Sequence, residues 1–363
     1  MQGNSLNTRI HRLDGLRGVL SLMVALYHFP QEYLPGGFAE FFVLRQANIF
    51  VDVFFVLSGF VISYRYSTID SMRHFIEFLK KRLLRLYPLL FYSVTVVLIL
   101  SLAQFILHRT IMPKGDELSL LSLFWQYLDS ILMLNSTPLL GSTLGLNFPS
   151  WSISAEMFSY LFFGIILLFL TKYQKRWFLV ISLICLSILI IIGSYYETGN
   201  FGFVRGILNF SIGYFVCHLY SRYQYGSMKW LGLVGVCFIL INLYMLNNIP
   251  VNHKDYFAFC SVPWVAGFLV FSVVVSKGIV SRFLSTKPLR YLGKLSYSIY
   301  LNHIFLSGMI LKSYSILLGQ VNTTNDRYLI FIYYVIMLLL YSGLTYKYIE
   351  EGGRRFLQKL LYK

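Results

Sequence analysis

The sequence predicts an all-α polytopic membrane protein of about ten transmembrane helices, with both termini cytoplasmic. Three observations predict it. The first is composition: 57% of the 363 residues are hydrophobic, only 13% are charged, and the mean hydropathy is +0.64. A soluble domain carries about 25% charged and about 45–50% apolar residues, so lipid must solvate the excess. The second is a succession of apolar runs close to the roughly 20 residues that a helix needs to cross the hydrocarbon core. The third is the sidedness of charge between those runs.

The runs fall near 13–33, 48–64, 88–107, 154–171, 177–194, 203–220, 229–247, 257–275, 296–316 and 328–348. The segment 119–134 (SLLSLFWQYLDSILML) is apolar on one side and carries Asp129, which reads as an interfacial or re-entrant helix, with an eleventh span as the alternative. With the termini inside, the inner segments hold clusters such as Lys80, Lys81, Arg82 and Arg85, then Lys277, Arg282, Lys287, Arg290 and Lys294, then Arg354, Arg355, Lys359 and Lys363. The outer loops hold only Arg45, Arg109, Lys114, Lys254 and Arg327. That asymmetry follows the positive-inside rule, and an eleventh span would scramble it. It also accounts for the net charge of +16, so no nucleic-acid partner is expected. Cys185, Cys217, Cys237 and Cys260 sit within apolar runs without metal-ligand spacing, which predicts buried small hydrophobes and no metal site. Asp14 and Arg17 in the first run argue against a cleaved signal, and one domain over 1–363 is expected.

Ionisable residues inside a span cost about 2.5–3.5 kcal/mol near its centre and usually mark function. The first run, LDGLRGVLSLMVALYH, carries Asp14, Arg17 and His28. Arg17 and His28 lie about three helical turns apart on one face, with Ser21 on the same stripe and Asp14 within ion-pairing reach of Arg17. The stripe is about 16 Å long. Histidine suits proton transfer near neutral pH, although an interfacial histidine is the plainer alternative. Asp52 opens the second run at about the depth of His28, which allows it either to orient that ring or to satisfy free backbone N–H groups at a helix start.

Lys81, Arg82 and Arg85 in LKKRLLRLYP share a face just before Pro88, taken as the start of the third span. Such a cluster at a membrane entrance suits a phosphate or diphosphate, or serves only as topogenic charge. Glu156 in NFPSWSISAEMFSY enters the fourth run from outside, as a site acid or a helix-capping one. Tyr297, Tyr300 and His303 lie on the ninth run, in YLGKLSYSIYLNHIF, as acceptor-site residues or an aromatic belt. Arg205 and Lys312 are intramembrane cations without an assigned partner.

LDGLRG with His28, VDVFFVLSGF, KRLLRLYP, FPSWSISAE, YLGKLSYSIYLNH and YIEEGGRR occur in this order from Leu13 to Arg355. In that order they resemble the acyltransferase-3 family of integral-membrane acyltransferases. The resemblance implies an acyl-CoA-dependent O-acyltransferase that moves an acyl group, most often acetyl, from cytoplasmic acyl-CoA to a hydroxyl. The acceptor is commonly a surface polysaccharide, lipopolysaccharide or O-antigen sugar, and sometimes peptidoglycan. It implies essential roles for Arg17 and His28, a corresponding acid at Asp52, and acyl-CoA contacts for Arg82 and Arg85, to which Lys81, Arg73 and Ser21 are added here. The last motif departs from the family's usual Glu-x-Pro, reading Glu350-Glu351-Gly352-Gly353. Many members carry an outer hydrolase-like domain, and none is evident in these residues, so direct delivery or a separate partner is expected. Acetyl-CoA is then a co-substrate rather than a bound cofactor, the other partners are the bilayer and a glycan or lipid-linked sugar, and the location is a bacterial inner membrane. His28 is expected to act as general base, oriented by Asp52 or Glu156. A transporter or flippase for a lipid-linked glycan is the alternative class, although no inverted repeat is apparent.

Overall fold

A computed structural model describes residues 9–107, 119–140, 145–223, 228–319 and 323–362. Arg109, Lys114 and Lys363 of the charge argument lie outside the described residues. The chain runs α1 (His11–Tyr27), α2 (Phe42–Arg45), α3 (Phe50–Arg65), α4 (Met72–Leu107), α5 (Leu120–Ile131), α6 (Ser150–Phe169) and α7 (Gln174–Ile192). It continues through α8 (Gly202–Tyr223), α9 (Leu231–Asn248), α10 (Val251–Val275), α11 (Ile279–Leu284), α12 (Lys287–Leu318), α13 (Thr324–Thr345) and α14 (Gly352–Leu361). No strand occurs among the described residues.

Seven helices among them are long and apolar enough to cross a membrane: those containing α3, α4, α6, α7, α9, α10 and α13. With that many, the chain is a multi-pass membrane protein. The other three expected spans are also helical but differ in kind. α1 is only 17 residues long and carries Arg12, Asp14 and Arg17. α8 carries Arg205 and Asn209, and α12 carries Asn302 and His303. These polar helices pack inside the bundle, α1 against α12 and α8 against α3, α6, α7 and α10. The apolar helices turn side chains such as Leu183, Ile191, Ile241, Trp264 and Leu340 outward. Large exposed hydrophobics on that scale suit lipid rather than water.

Small residues let the polar helices approach closely. A methyl group on Gly18 would collide with the backbone of Gly293, and one on Gly59 with the backbone of Phe210. Gly18 and Gly293 are therefore contact points of α1 with α12, Gly15 of α1 with α11, and Gly59 of α3 with α8.

Several boundaries depart from expectation. α1 stops at Tyr27 rather than near 33, with His28 as its C-cap, because Pro30 cannot continue the helix. Pro88 does not open a span: α4 runs through it for 36 residues, about 54 Å, so the basic cluster rides on the same rod as the span. That length exceeds the roughly 30 Å hydrocarbon core. α5 has 12 residues, about 18 Å, which is too short to cross and matches the interfacial reading of 119–134. Cys185 and Cys217 are buried, but Cys237 and Cys260 are exposed, since their faces of α9 and α10 point outward. α13 passes through a π-helical turn, Tyr346–Glu351, into the short α14.

Candidate active site

A cavity inside the bundle has about 600 Å³ of empty space, open solvent included. Five helices wall it: α1 with Arg17, α3 with Phe54 and Ser58, α4 with Arg85, α6 with Ser152 and Glu156, and α12 with Tyr297 and Tyr300. Arg17 comes from the first apolar run and Arg85 from the basic stretch before the third, yet both face the same space. Neither has a hydrogen-bond or ion-pair partner among the described residues. Two unpaired guanidiniums inside a lipid-solvated bundle are costly unless an anion or water meets them. Their planar forks suit bidentate contact with phosphate or carboxylate.

Among the described residues, Glu156 is the one carboxylate on the cavity wall. Its Oε1 accepts from the hydroxyls of Ser58 and Tyr160, which lie 2.9 Å apart. Those bonds fix the carboxylate within electrostatic reach of both arginines. The Tyr297 hydroxyl donates to the Leu86 carbonyl at 2.7 Å and so ties α12 to α4 at the cavity floor. The Tyr300 ring packs against Phe54 at a centroid distance of 6.1 Å.

Tyr300, on the cavity wall, also contacts the first of two neighbouring histidines. Its ring centroid is 5.9 Å from that of His303, and its carbonyl oxygen is 2.6 Å from His303 Nδ1. His303 Nε2 in turn lies 3.1 Å from Nδ1 of His28. His28 sits at the end of α1, with Nδ1 also 3.0 Å from the Val24 carbonyl and its ring edge-on to Phe148. The helix therefore carries Arg17 at the cavity and His28 about 16 Å further along, beside His303.

The expected partners of His28 are elsewhere. Asp52 is completely buried, and Arg205 grips its carboxylate at both ends, Nε to Oδ1 at 2.8 Å and Nη2 to Oδ2 at 2.6 Å. Asn209 and the Tyr195 hydroxyl complete its shell at 2.8 and 3.2 Å. Trp151, Tyr195 and Tyr196 surround the guanidinium at 5.2–5.7 Å from their ring centres. Asp52 thus ties α3 to α8 and makes no hydrogen bond to His28, because Arg205 offers a charged bidentate fork. Glu156 likewise bonds to Ser58 and Tyr160 rather than to His28.

The remaining candidates separate by burial. Asp14 pairs with Arg9 at 2.8 Å instead of with Arg17, one turn away on its own helix. The Ser21 hydroxyl is buried and donates back to the Gly18 carbonyl at 2.9 Å, so it does not face the cavity. Arg82 is buried among Tyr66, Phe78 and Tyr160, its guanidinium 5.6–6.0 Å from their ring centres. Lys81 and Arg73 are exposed. Of the four expected acyl-CoA cations, only Arg85 lines the cavity. Arg205, Ser58 and Tyr160 were not assigned partners from sequence. An arginine within an apolar run, at about the depth of Asp52, was the available signal for the first of these.

An all-helical, multi-pass bundle with two arginines and a glutamate on the wall of an internal cavity defines a membrane-embedded protein. The chain belongs to the acyltransferase-3 family, whose acyltransferase-domain model matches residues 10–346. It is similar to the O-acetyltransferase OatA of Staphylococcus aureus (strain NCTC 8325 / PS 47), with 26% identity over 94% of this chain and 57% of OatA. It is also similar to YrhL of Bacillus subtilis (strain 168), whose name assigns it provisionally to peptidoglycan O-acetylation, with 27% identity over 82% of this chain and 49% of YrhL. The chain spans about half the length of these curated relatives. No solved structure matches it.

Proposed function

We propose that this protein is an inner-membrane O-acyltransferase with ten spans and cytoplasmic termini. It moves an acyl group, acetyl first of all, from cytoplasmic acyl-CoA to a hydroxyl of an envelope glycan. The observation that carries the reading is the pair of arginines, Arg17 and Arg85, without a hydrogen-bond or ion-pair partner among the described residues, in a cavity whose wall includes Tyr300, the residue that contacts His303 and through it His28. Acyl-CoA presents phosphates, which match two guanidinium forks, and a thin arm that fits between helices. The distance of about 16 Å along α1 from Arg17 to His28 is the span that arm has to cover. The names of OatA and YrhL favour O-acetyl transfer, and that of YrhL makes peptidoglycan the first acceptor to try.

In the proposed step, His28 removes the proton from the acceptor hydroxyl while its oxygen attacks the thioester carbonyl. The carbon–sulfur bond breaks, and the CoA thiolate takes the proton back from the imidazolium. The products are an O-acyl sugar and CoA. Glu156, held by Ser58 and Tyr160, sets the charge of the cavity beside the two arginines. The acyl group passes directly to the glycan or to a separate acceptor protein.

The test is release of CoA and transfer of label by purified protein in liposomes supplied with labelled acetyl-CoA and peptidoglycan fragments. The wild type transfers label, and His28→Ala transfers none while remaining folded. Translocation of a lipid-linked glycan without CoA release would replace this reading by the transporter.

A further inference from the structure

The two histidines of the site form a directional hydrogen-bond chain, and its direction can be read from its ends. At one end, His303 Nδ1 lies 2.6 Å from the Tyr300 carbonyl oxygen. A carbonyl only accepts, so this nitrogen carries the proton. A neutral imidazole has one N–H, which leaves His303 Nε2 as an acceptor. The group 3.1 Å from it is His28 Nδ1, which must therefore donate. The other end agrees, since the Val24 carbonyl 3.0 Å from the same His28 nitrogen is also an acceptor. A protonated His303 would force His28 Nδ1 to accept, setting its lone pair against that of the Val24 oxygen. Two backbone carbonyls, one on α12 and one on α1, thus fix the polarity of the whole chain.

We propose that His303 is a positioning residue that holds His28 as its Nδ1–H tautomer, so that His28 Nε2 is the unprotonated nitrogen available to the acceptor hydroxyl. This rests on His28 being the general base. Nε2 of His28 has no hydrogen-bond partner among the described residues. His303 is completely buried and does not line the cavity, so it acts through His28 rather than on substrate. The pair is held in register by the Tyr334 hydroxyl of α13, which lies 3.3 Å from the Ala25 carbonyl and 3.4 Å from that of His303. A second ring selecting the tautomer of a catalytic histidine plays the part that a carboxylate plays in hydrolytic triads, without placing a charge in the bundle.

Two substitutions separate positioning from packing. His303→Leu fills the space and removes the acceptor, whereas His303→Gln keeps an acceptor oxygen at similar reach. Their kcat and KM for acetyl-CoA are compared in liposomes. In parallel, nitrogen NMR of 15N-histidine-labelled protein, with His28→Ala to assign the ring, reads the His28 tautomer without substrate. The expected result is protonated Nδ1 and bare Nε2 for His28 in the wild type and in His303→Gln, and a mixture of tautomers in His303→Leu. His303→Leu loses about 100-fold or more in kcat with KM within about twofold, and His303→Gln recovers most of that loss. A wild-type His28 protonated at Nε2 overturns the proposal. So does an equal kcat loss in both variants with an unchanged His28 spectrum. If the wild type turns over no acyl-CoA, the acyltransferase reading fails on that result alone, and the spectrum still decides the tautomer.

Discussion

Arg205 and Arg17 are both guanidiniums inside a bundle whose outer faces are apolar, yet the protein treats them in opposite ways. Arg205 is bound at both ends by Asp52, backed by Asn209 and Tyr195, and enclosed by three aromatic rings. Nothing is left for a ligand to do there. Arg17, with Arg85 also on the cavity wall, has neither hydrogen bond nor ion pair among the described residues. Asp14, the acid nearest to Arg17 in sequence, is taken by Arg9. A buried charge whose partner is built in holds helices together, whereas one whose partner is missing waits for something to arrive. The first kind should fail by unfolding and the second by losing its ligand.

The largest effect is expected at the closed pair. Removing one member of a buried ion pair strands the other and costs about 3–5 kcal/mol. Arg205→Met should therefore reduce the yield of folded protein sharply and lower the thermal midpoint in detergent. Asp52→Asn, which keeps the shape and the neighbouring hydrogen bonds, should cost less. A double change, Asp52→Leu with Arg205→Met, should recover part of the loss, because it leaves no stranded charge. Equal instability of the single and double variants would mean that shape, not charge, holds α3 to α8.

The open pair should respond in the opposite sense. Arg17→Ala or Arg85→Ala removes an unpaired buried cation, so the thermal midpoint should hold or rise. A hydrogen bond to a charged group is worth about 1.5–3 kcal/mol, so affinity for acetyl-CoA should fall by about 10- to 150-fold. Isothermal titration with acetyl-CoA beside a melting curve reads both quantities. A lower midpoint with unchanged affinity would make these arginines structural and leave the cavity without its ligand.

This contrast was only partly legible in the sequence. The periodicity of the first run placed Arg17 and His28 on one face, and Gly18 of LDGLRG and Gly293 of YLGK mark where α1 and α12 meet. Depth along a helix was readable too, which is why Asp52 was set beside His28. What a single sequence does not contain is azimuth, meaning which neighbour each helix turns its polar face toward. Asp52 faces α8 and Arg205, while His28 faces α12 and His303, and both pairings cross more than a hundred residues of chain. Helix continuity was misjudged at Pro88 for a different reason. A proline removes one backbone donor, but the basic residues before it are good helix formers and α4 carries on through. α1, α8 and α12 are less apolar than the other long helices because their polar residues face protein instead of lipid, and α1 is also only 17 residues long.

The smallest effect is expected at cations that belong to neither class. Lys81 and Arg73 lie on α4 with Arg85 but are exposed, and Arg82 is enclosed by Tyr66, Phe78 and Tyr160. A solvated cation contributes through a screened field, so Lys81→Ala and Arg73→Ala should weaken acetyl-CoA binding by about threefold or less, an effect that vanishes in high salt. Arg85→Ala, in the cavity, should keep most of its defect under the same conditions, because a charge enclosed by the bundle is screened far less. Titrating acetyl-CoA at low and high ionic strength separates the two. If the exposed lysine and arginine matter as much as Arg85, the phosphates are held outside the bundle at the mouth of the basic cluster. Burial would then no longer distinguish binding charges from topogenic ones along α4.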